Sequence, residues 1–257
     1  MVKGLYAAYT GMLNQQNKMD VISNNLANAA TTGYKKEGST SQAFDTVLAY
    51  KIKDQTVGVR AQNIGTMNLG VKIGENYTDY TQGAFRDTGN TYDLAISGNG
   101  FFCIQFANKS GGTSTKYTRD GSFTLNVDGY LVTKDGDYVL DENGRRIRLD
   151  NLATASIDRN GTIFQNNRAV ATIGLQDFED YNYLEHYGEN YYQPVKGYEF
   201  KDADGQIVEG YLEASNVQVV SEMVELISVT RAYESNQKVI QTIDGTLDKA
   251  VNQLGSV

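Results

Sequence analysis

His186 is the only histidine of this 257-residue chain and Cys103 its only thiol. A metal site built on imidazoles therefore has no second ligand, and a Ser-His or Cys-His pair has a single possible base. Cys103 lies inside the apolar run Phe101-Phe102-Cys103-Ile104. A reactive thiol wants an electropositive, partly exposed setting, so Cys103 reads as a buried, reduced one. A calcium loop needs carboxylates at alternating positions around one glycine and a distal bidentate Glu. The stretch from Asp135-Gly136-Asp137 to Asp141-Glu142-Asn143-Gly144 lacks that spacing and reads as hairpin turns. Gly98-Asn99-Gly100 is followed by two phenylalanines where a phosphate loop wants a third glycine and a helix, so it reads as a turn entering a buried strand. Scattered Asp and Glu include no pair whose separation the sequence fixes. The Tyr-rich stretch Tyr181 to Tyr192 has the composition of a sugar-binding platform and equally that of a strand or subunit contact surface. The expectation is no catalytic, cofactor or metal site, with an extracytoplasmic glycan-binding or cell-wall hydrolytic module as the alternative.

The element holding most of these residues is a β domain. Asp-Gly or Asn-Gly recurs at 120–121, 128–129, 135–136, 143–144, 160–161 and 204–205, and such pairs tolerate the positive φ of tight hairpins. Short alternating or apolar runs lie between them, as in Phe123-Thr124-Leu125-Asn126-Val127 and Tyr138-Val139-Leu140, which predicts an all-β meander.

Both ends of the chain read as helices. From Ser215 to Leu254, Leu226, Tyr233, Ile240, Leu247 and Leu254 recur every seven residues, with Val229, Asn236, Ile243 and Ala250 three places on. That is an a/d heptad pattern with one polar d position, and a seam needs a partner. Ser215 and Gln218 fit a capping box, and Asn216 is an equally good cap. Residues 3–29 carry a second, shorter series, Leu5, Met12, Met19 and Leu26, with Ala8, Gln15, Ile22 and Ala29. It reads either as an amphipathic surface helix, marginal alone, or as the partner of the first. Asn24 to Asn28 should end it, with Gly33 supplying a left-handed residue beyond. Lys35 and Lys36 then read as a solvated turn. Residues 37–70 have no sustained period.

A formal charge of −8 argues against general nucleic-acid binding. No apolar run approaches the ~20 residues of a membrane-spanning helix, and the first 20 residues have no secretory-signal pattern. Export, if it occurs, is expected by another route.

Three blocks together resemble one family, the axial proteins of the bacterial flagellum, and within it the basal-body rod and hook proteins. Asn24-Asn25-Leu26-Ala27-Asn28 with Thr32-Gly33-Tyr34-Lys35 is similar to the rod signature, Thr32 standing where Pro is usual. Asp93 to Phe102, continued by Tyr117-Thr118-Arg119-Asp120-Gly121-Ser122-Phe123, is similar to its β-domain block. Gly210-Tyr211-Leu212-Glu213-Ala214-Ser215-Asn216-Val217, then Glu222-Met223 and Arg231-Ala232-Tyr233-Glu234, resembles its C-terminal helix. Length and a single β domain resemble rod proteins more than hook proteins, the distal rod type before the proximal.

The resemblance implies a mixed α and β fold in which long N- and C-terminal coiled-coil helices form an inner layer and a central all-β domain lies outside. The expected division is 1–36 for the N-terminal helix and signature turn, 37–70 for an extended linker arm, 71–211 for the β domain and 212–257 for the C-terminal helix. The implied role is a structural subunit of the rod that assembles helically, transmits torque across the periplasm and encloses the export channel. Implied partners are further copies of itself, other rod and hook proteins and the flagellar type III export apparatus. The seam residues Leu5, Met12, Met19, Leu26, Leu226, Tyr233, Asn236, Ile240, Leu247 and Leu254 are the expected assembly interface.

Overall fold

The computed structural model describes residues 2–51, 62–107, 112–188 and 190–252. The chain forms two compact units. One comprises residues 1–26, 37–78 and 218–257, the other 27–36 and 79–217.

In the first unit the two periodic segments are helices, α1 at Val2–Ala27 and α2 at Val219–Asn252. They run antiparallel. Gly4 lies against Ile243, Gly11 against Asn236, and Asn25 bonds Glu222, so each pair of numbers adds to 247 and the pairs are spaced by seven and fourteen residues. The described residues between 37 and 78 form two strand pairs. Glu37–Ala43 pairs antiparallel with Val71–Thr78, and Val47–Lys51 with Gln62–Met67. A two-stranded ribbon is marginal on its own, and this one is tied to α1. The Asn14 amide donates to Ser41 Oγ (2.9 Å), the Ser41 hydroxyl donates back to Asn14 Oδ1 (3.1 Å), and Val71 N–H donates to Thr10 Oγ1. Strand pairing thus takes 71–78 out of the expected β domain, whose compact boundary lies at 79.

The second unit is antiparallel β throughout its described ladders. Its largest sheet runs Leu184–Tyr187, Tyr191–Pro194, Thr113–Thr118, Phe101–Ala107, Tyr138–Val139, Leu131–Thr133, Phe123–Leu125, with Leu175–Phe178 also pairing to Phe101–Ala107. Phe102 and Ile104 join a core with Leu94, Leu131, Ile147 and Ile163, whereas Phe101 and Cys103 face a second cluster with Tyr117, Phe178 and Tyr192. Successive side chains alternate faces, so the unbroken apolar run at 101–104 marks a strand covered on both sides.

Four of the six expected turn glycines, Gly129, Gly136, Gly144 and Gly161, have positive φ. Gly121 and Gly205 do not, and they serve close approach instead. A Cβ on Gly121 would lie 1.8 Å from Leu94 O, and one on Gly205 2.4 Å from Asn99 O. The hairpin after Thr162–Gln165 turns on Asn166 and Asn167 at φ 51° and 60°, the paired left-handed conformation that Asn tolerates.

Candidate assembly site

The expected seam maps onto the helix pair with one offset. On α2, Leu226, Tyr233, Asn236 and Ile240 are half-buried, whereas Leu247 is 38% exposed. Leu254 lies outside the described residues. On α1, Leu5, Met12, Met19 and Leu26 are half-buried, but the positions that meet α2 are one residue earlier, Gly4, Gly11 and Asn25. A scan for apolar side chains passes over glycine, although at Gly11 the missing Cβ gives the partner helix room. At Gly11 a Cβ would sit 3.1 Å from Asn236 Nδ2, so the polar d residue of α2 rests on bare backbone.

The far end of the pair is polar. Asn25 is 1% exposed, its amide donates to Glu37 O (2.8 Å) and to Glu222 Oε2 (3.3 Å), and Glu37 N–H donates to Asn25 Oδ1 (2.9 Å). The Asn-rich run ends the helix as expected, α1 stopping at Ala27, and Asn25 within it also closes the register of helix, partner helix and ribbon.

In the β unit, the turn after α1 and the strand before α2 meet at a buried ion cluster. Lys35 Nζ lies 2.6 Å from Glu213 Oε1 and donates also to Thr81 O (2.9 Å), and Arg119 NH1 lies 3.4 Å from Glu213 Oε2. The Lys35, Glu213 and Arg119 side chains are 1%, 0% and 4% exposed, which overturns the solvated-turn expectation for Lys35. The physical reason is pairing, since a buried charge is tolerated where an opposite charge and further hydrogen bonds meet it. Burial pushes the Lys35 ammonium below its ordinary pKa, against the raising effect of Glu213 and with a smaller lowering from Arg119. Gly83 N–H also donates to Glu213 Oε1 (3.0 Å), and the Arg119 guanidinium donates to Gly98 O (2.9 Å) and lies 5.2 Å over the Phe101 ring.

Around the cluster, backbone and amides hold the two chain ends side by side. Gly33 N–H donates to Glu213 O (2.8 Å), Lys36 N–H to Asn216 Oδ1 (2.7 Å), and the Asn216 amide to Asp79 O (2.8 Å). Asn216 is therefore spent on this junction and does not cap α2, which begins at Val219. Gly33 has φ +69°, and a Cβ there would lie 2.4 Å from Asp120 N, so conformation and space both demand glycine. Thr32 fixes the turn through hydrogen bonds, its hydroxyl donating to Asp120 Oδ1 (2.8 Å) and its carbonyl accepting from the Asn190 amide (3.0 Å). Each of the three sequence blocks contributes to this junction, Lys35 from the first, Arg119 from the second, Glu213 and Asn216 from the third.

The residues considered for catalysis are packed in place. Burial pushes the Cys103 thiol up to about 12, leaving it protonated at neutral pH. His186 stands edge-on to Tyr34 and Tyr192, at 6.4 and 5.4 Å between ring centroids. Its Nε2 is buried with no hydrogen-bond partner among the described residues. The ring face of Tyr187 that a sugar would use carries the Lys116 ammonium at 3.7 Å. A cavity of about 580 Å³ opens beside Thr32, Asp120, Lys134, Tyr187 and Asn190. Among the described residues no group of three His, Cys, Asp or Glu is arranged to hold a metal ion, and no helix is long and apolar enough to cross a membrane.

Three family models match in chain order. One described as flagella basal body rod protein covers residues 5–35, one described as flagellar hook protein FlgE/F/G D1 domain covers 95–165, and one described as flagellar basal body rod FlgEFG protein C-terminal covers 208–254. Among similar proteins, the flagellar basal-body rod protein FlgF of Caulobacter vibrioides is 36% identical over 266 residues, covering all of both chains. FlgG of Bacillus subtilis is 34% identical over 273 residues, covering 98% of this chain and 99% of its own. The flagellar hook-basal body complex protein FlhO of the same organism is 31% identical across the whole of both. Full-length similarity at this level, with all three blocks converging on one buried junction and its adjoining helices, shows that the chain belongs to the flagellar basal-body rod protein family.

Proposed function

We propose that the helix unit builds the rod and the β unit clothes it. The chain is a structural subunit of the basal-body rod, as its relatives are by name. Its terminal helices form a coiled-coil inner layer around the export channel, and copies stacked helically transmit torque across the periplasm. Torque is shared among many contacts that each contribute a few kcal/mol, and head-to-tail contacts that never close propagate as a helix of subunits. The type III export apparatus delivers the chain unfolded, and other rod and hook proteins continue the shaft.

One observation carries this reading. Thirteen of the twenty-two large hydrophobic side chains exposed among the described residues belong to the helix unit, although it is the smaller of the two. A surface that apolar marks a protein interface. The test is Leu226→Asp or Ile240→Asp, each placing a carboxylate in the half-buried seam. Assembly should be lost while the β unit stays folded by near-ultraviolet circular dichroism, and normal rods built from either variant would refute the proposal.

A further inference from the structure

Two of these exposed stripes lie on opposite faces and at opposite ends of the helix pair. On α2, Val220 (77% exposed), Met223 (46%), Val224 (64%) and Ile227 (55%) recur at helical spacing over the first two turns. At about 100° per residue they point away from the seam that faces α1. Beyond Ile227 that face turns polar, with Arg231, Glu234 and Lys238. On α1, Tyr6 (55%), Tyr9 (49%) and Leu13 (39%) form the other stripe, on the side away from Gly4 and Gly11. Gln16 and Asp20 continue it as polar surface. In the antiparallel register Tyr9 is level with Lys238, about three to five turns from the α2 stripe at 3.6 residues per turn.

We propose that the α1 stripe of one copy docks on the α2 stripe of a second copy, so that the rod grows by one repeated head-to-tail contact between these two faces. The inference rests on the rod-subunit reading and names its contact. The occupant is a second copy because one contact of this kind covers both apolar faces, whereas pairing the α2 stripe with itself would leave Tyr6, Tyr9 and Leu13 in water on each partner. The faces are also unequal in chemistry, aromatic on α1 and aliphatic on α2, which suits a heterologous contact that propagates. Together they offer several hundred Å² of apolar side chain, short of the ~1,600 Å² of a standard interface, so a lone pair of copies is weak and the contact gains strength in the array. Bringing Tyr9 of one copy level with Val224 of the next, where Lys238 stands in its own, offsets the copies by about 21 Å at ~1.5 Å per residue.

The test uses a full-length Tyr9→Cys/Val224→Cys chain, assembled and then mildly oxidised. The native Cys103 is half-buried against Phe101, Tyr117 and Phe178, and the unsubstituted chain oxidised in parallel sets its background. The expected result is a ladder of disulfide-linked multimers in the assembled fraction, absent from dilute monomer, with neither single variant giving more than background. Dimers from Val224→Cys alone would mean symmetric pairing and overturn the proposal. Assemblies of normal appearance with no ladder, although both thiols react with a maleimide in the monomer, would overturn it while leaving the rod-subunit reading intact. Failure of the unsubstituted chain to assemble under any condition would refute that reading and this contact with it. A second variant, Val224→Asp, should raise the concentration needed for assembly at least ~10-fold with the circular dichroism spectrum unchanged. An unchanged threshold would also overturn the proposal.

Discussion

Replacing Glu213 by Gln preserves shape and one acceptor oxygen but removes the only anion of the cluster, leaving Lys35 and Arg119 buried against a neutral amide. Breaking a buried pair in this way costs roughly 3–5 kcal/mol. A ceiling comes from the alternative open to Lys35, which is to discharge. Taking an ammonium of ordinary pKa 10.5 to its neutral form at pH 7 costs about 5 kcal/mol at ~1.4 kcal/mol per pH unit. The β unit of the variant should therefore be less stable by ~3–5 kcal/mol at pH 7, a Tm lower by roughly 8–16 °C for a unit of this size. The pH dependence separates this account from a lost hydrogen bond. In the unfolded variant Lys35 keeps its proton up to about its ordinary pKa, while the folded variant has shed it. The unfolded state then binds more protons, so variant stability rises relative to the parent by up to ~1.4 kcal/mol per unit between pH 7 and 10. Adding Lys35→Met should recover at least ~2 kcal/mol, because no ammonium is left stranded. Urea unfolding of the three chains at several pH values, followed by tyrosine fluorescence, measures all of this. A loss under ~1 kcal/mol at pH 7, or a loss that does not change with pH, would refute the cluster as the lock of the junction.

Gly11→Val would press a branched side chain against Asn236, 3.1 Å from the new Cβ. Helix-pair stability should fall by ~1–3 kcal/mol, read as lost helical circular dichroism on heating, and Asn236→Ala should restore part of it. Gly121→Ala places a methyl 1.8 Å from Leu94 O, so the β unit should fail to fold, seen as loss of near-ultraviolet dichroism. Tyr117 and Tyr191 are 6% and 9% exposed, and burial foremost raises both phenols above their ordinary 10. The folded chain keeps these protons after the unfolded chain has lost them, so each contributes a loss of up to ~1.4 kcal/mol of stability per unit above pH 10. Tyr117→Phe should flatten that alkaline slope in denaturant titrations.

The helices were legible because periodicity survives in the sequence wherever one face is buried, and Leu226, Tyr233 and Ile240 all lie on the half-buried side of α2. The meeting face of α1 was legible only to within one residue, because it is marked by Gly4, Gly11 and Asn25, which no hydrophobic count registers. The β domain announced itself through its Gly turns, yet Gly121 and Gly205 carry the same dipeptide for a different reason, steric contact with a carbonyl across the fold. Pairing of the ribbon strands was not legible, since Glu37–Ala43 contains one apolar residue and gains its place from Asn14 and the register with Val71–Thr78.

The junction shows why the resemblance reached further than the residue chemistry. Lys35 beside Lys36 has the composition of a solvated turn, and Glu213 and Arg119 lie 178 and 84 positions away, so nothing local signals that both cations meet one carboxylate in a buried site. The blocks that carry the resemblance, however, each supply one member. Those residues hold the segments 33–36 and 213–216 side by side within the β unit. Gly33, Lys35 and Lys36 on one strand of chain, and Glu213 and Asn216 on the other, do that with one ion pair and two backbone-directed hydrogen bonds. Asn216 shows the trade most plainly. As an N-cap it would contribute ~1 kcal/mol to α2 alone, but bonded to Lys36 N–H and Asp79 O it ties three segments together, and α2 starts three residues later as a result.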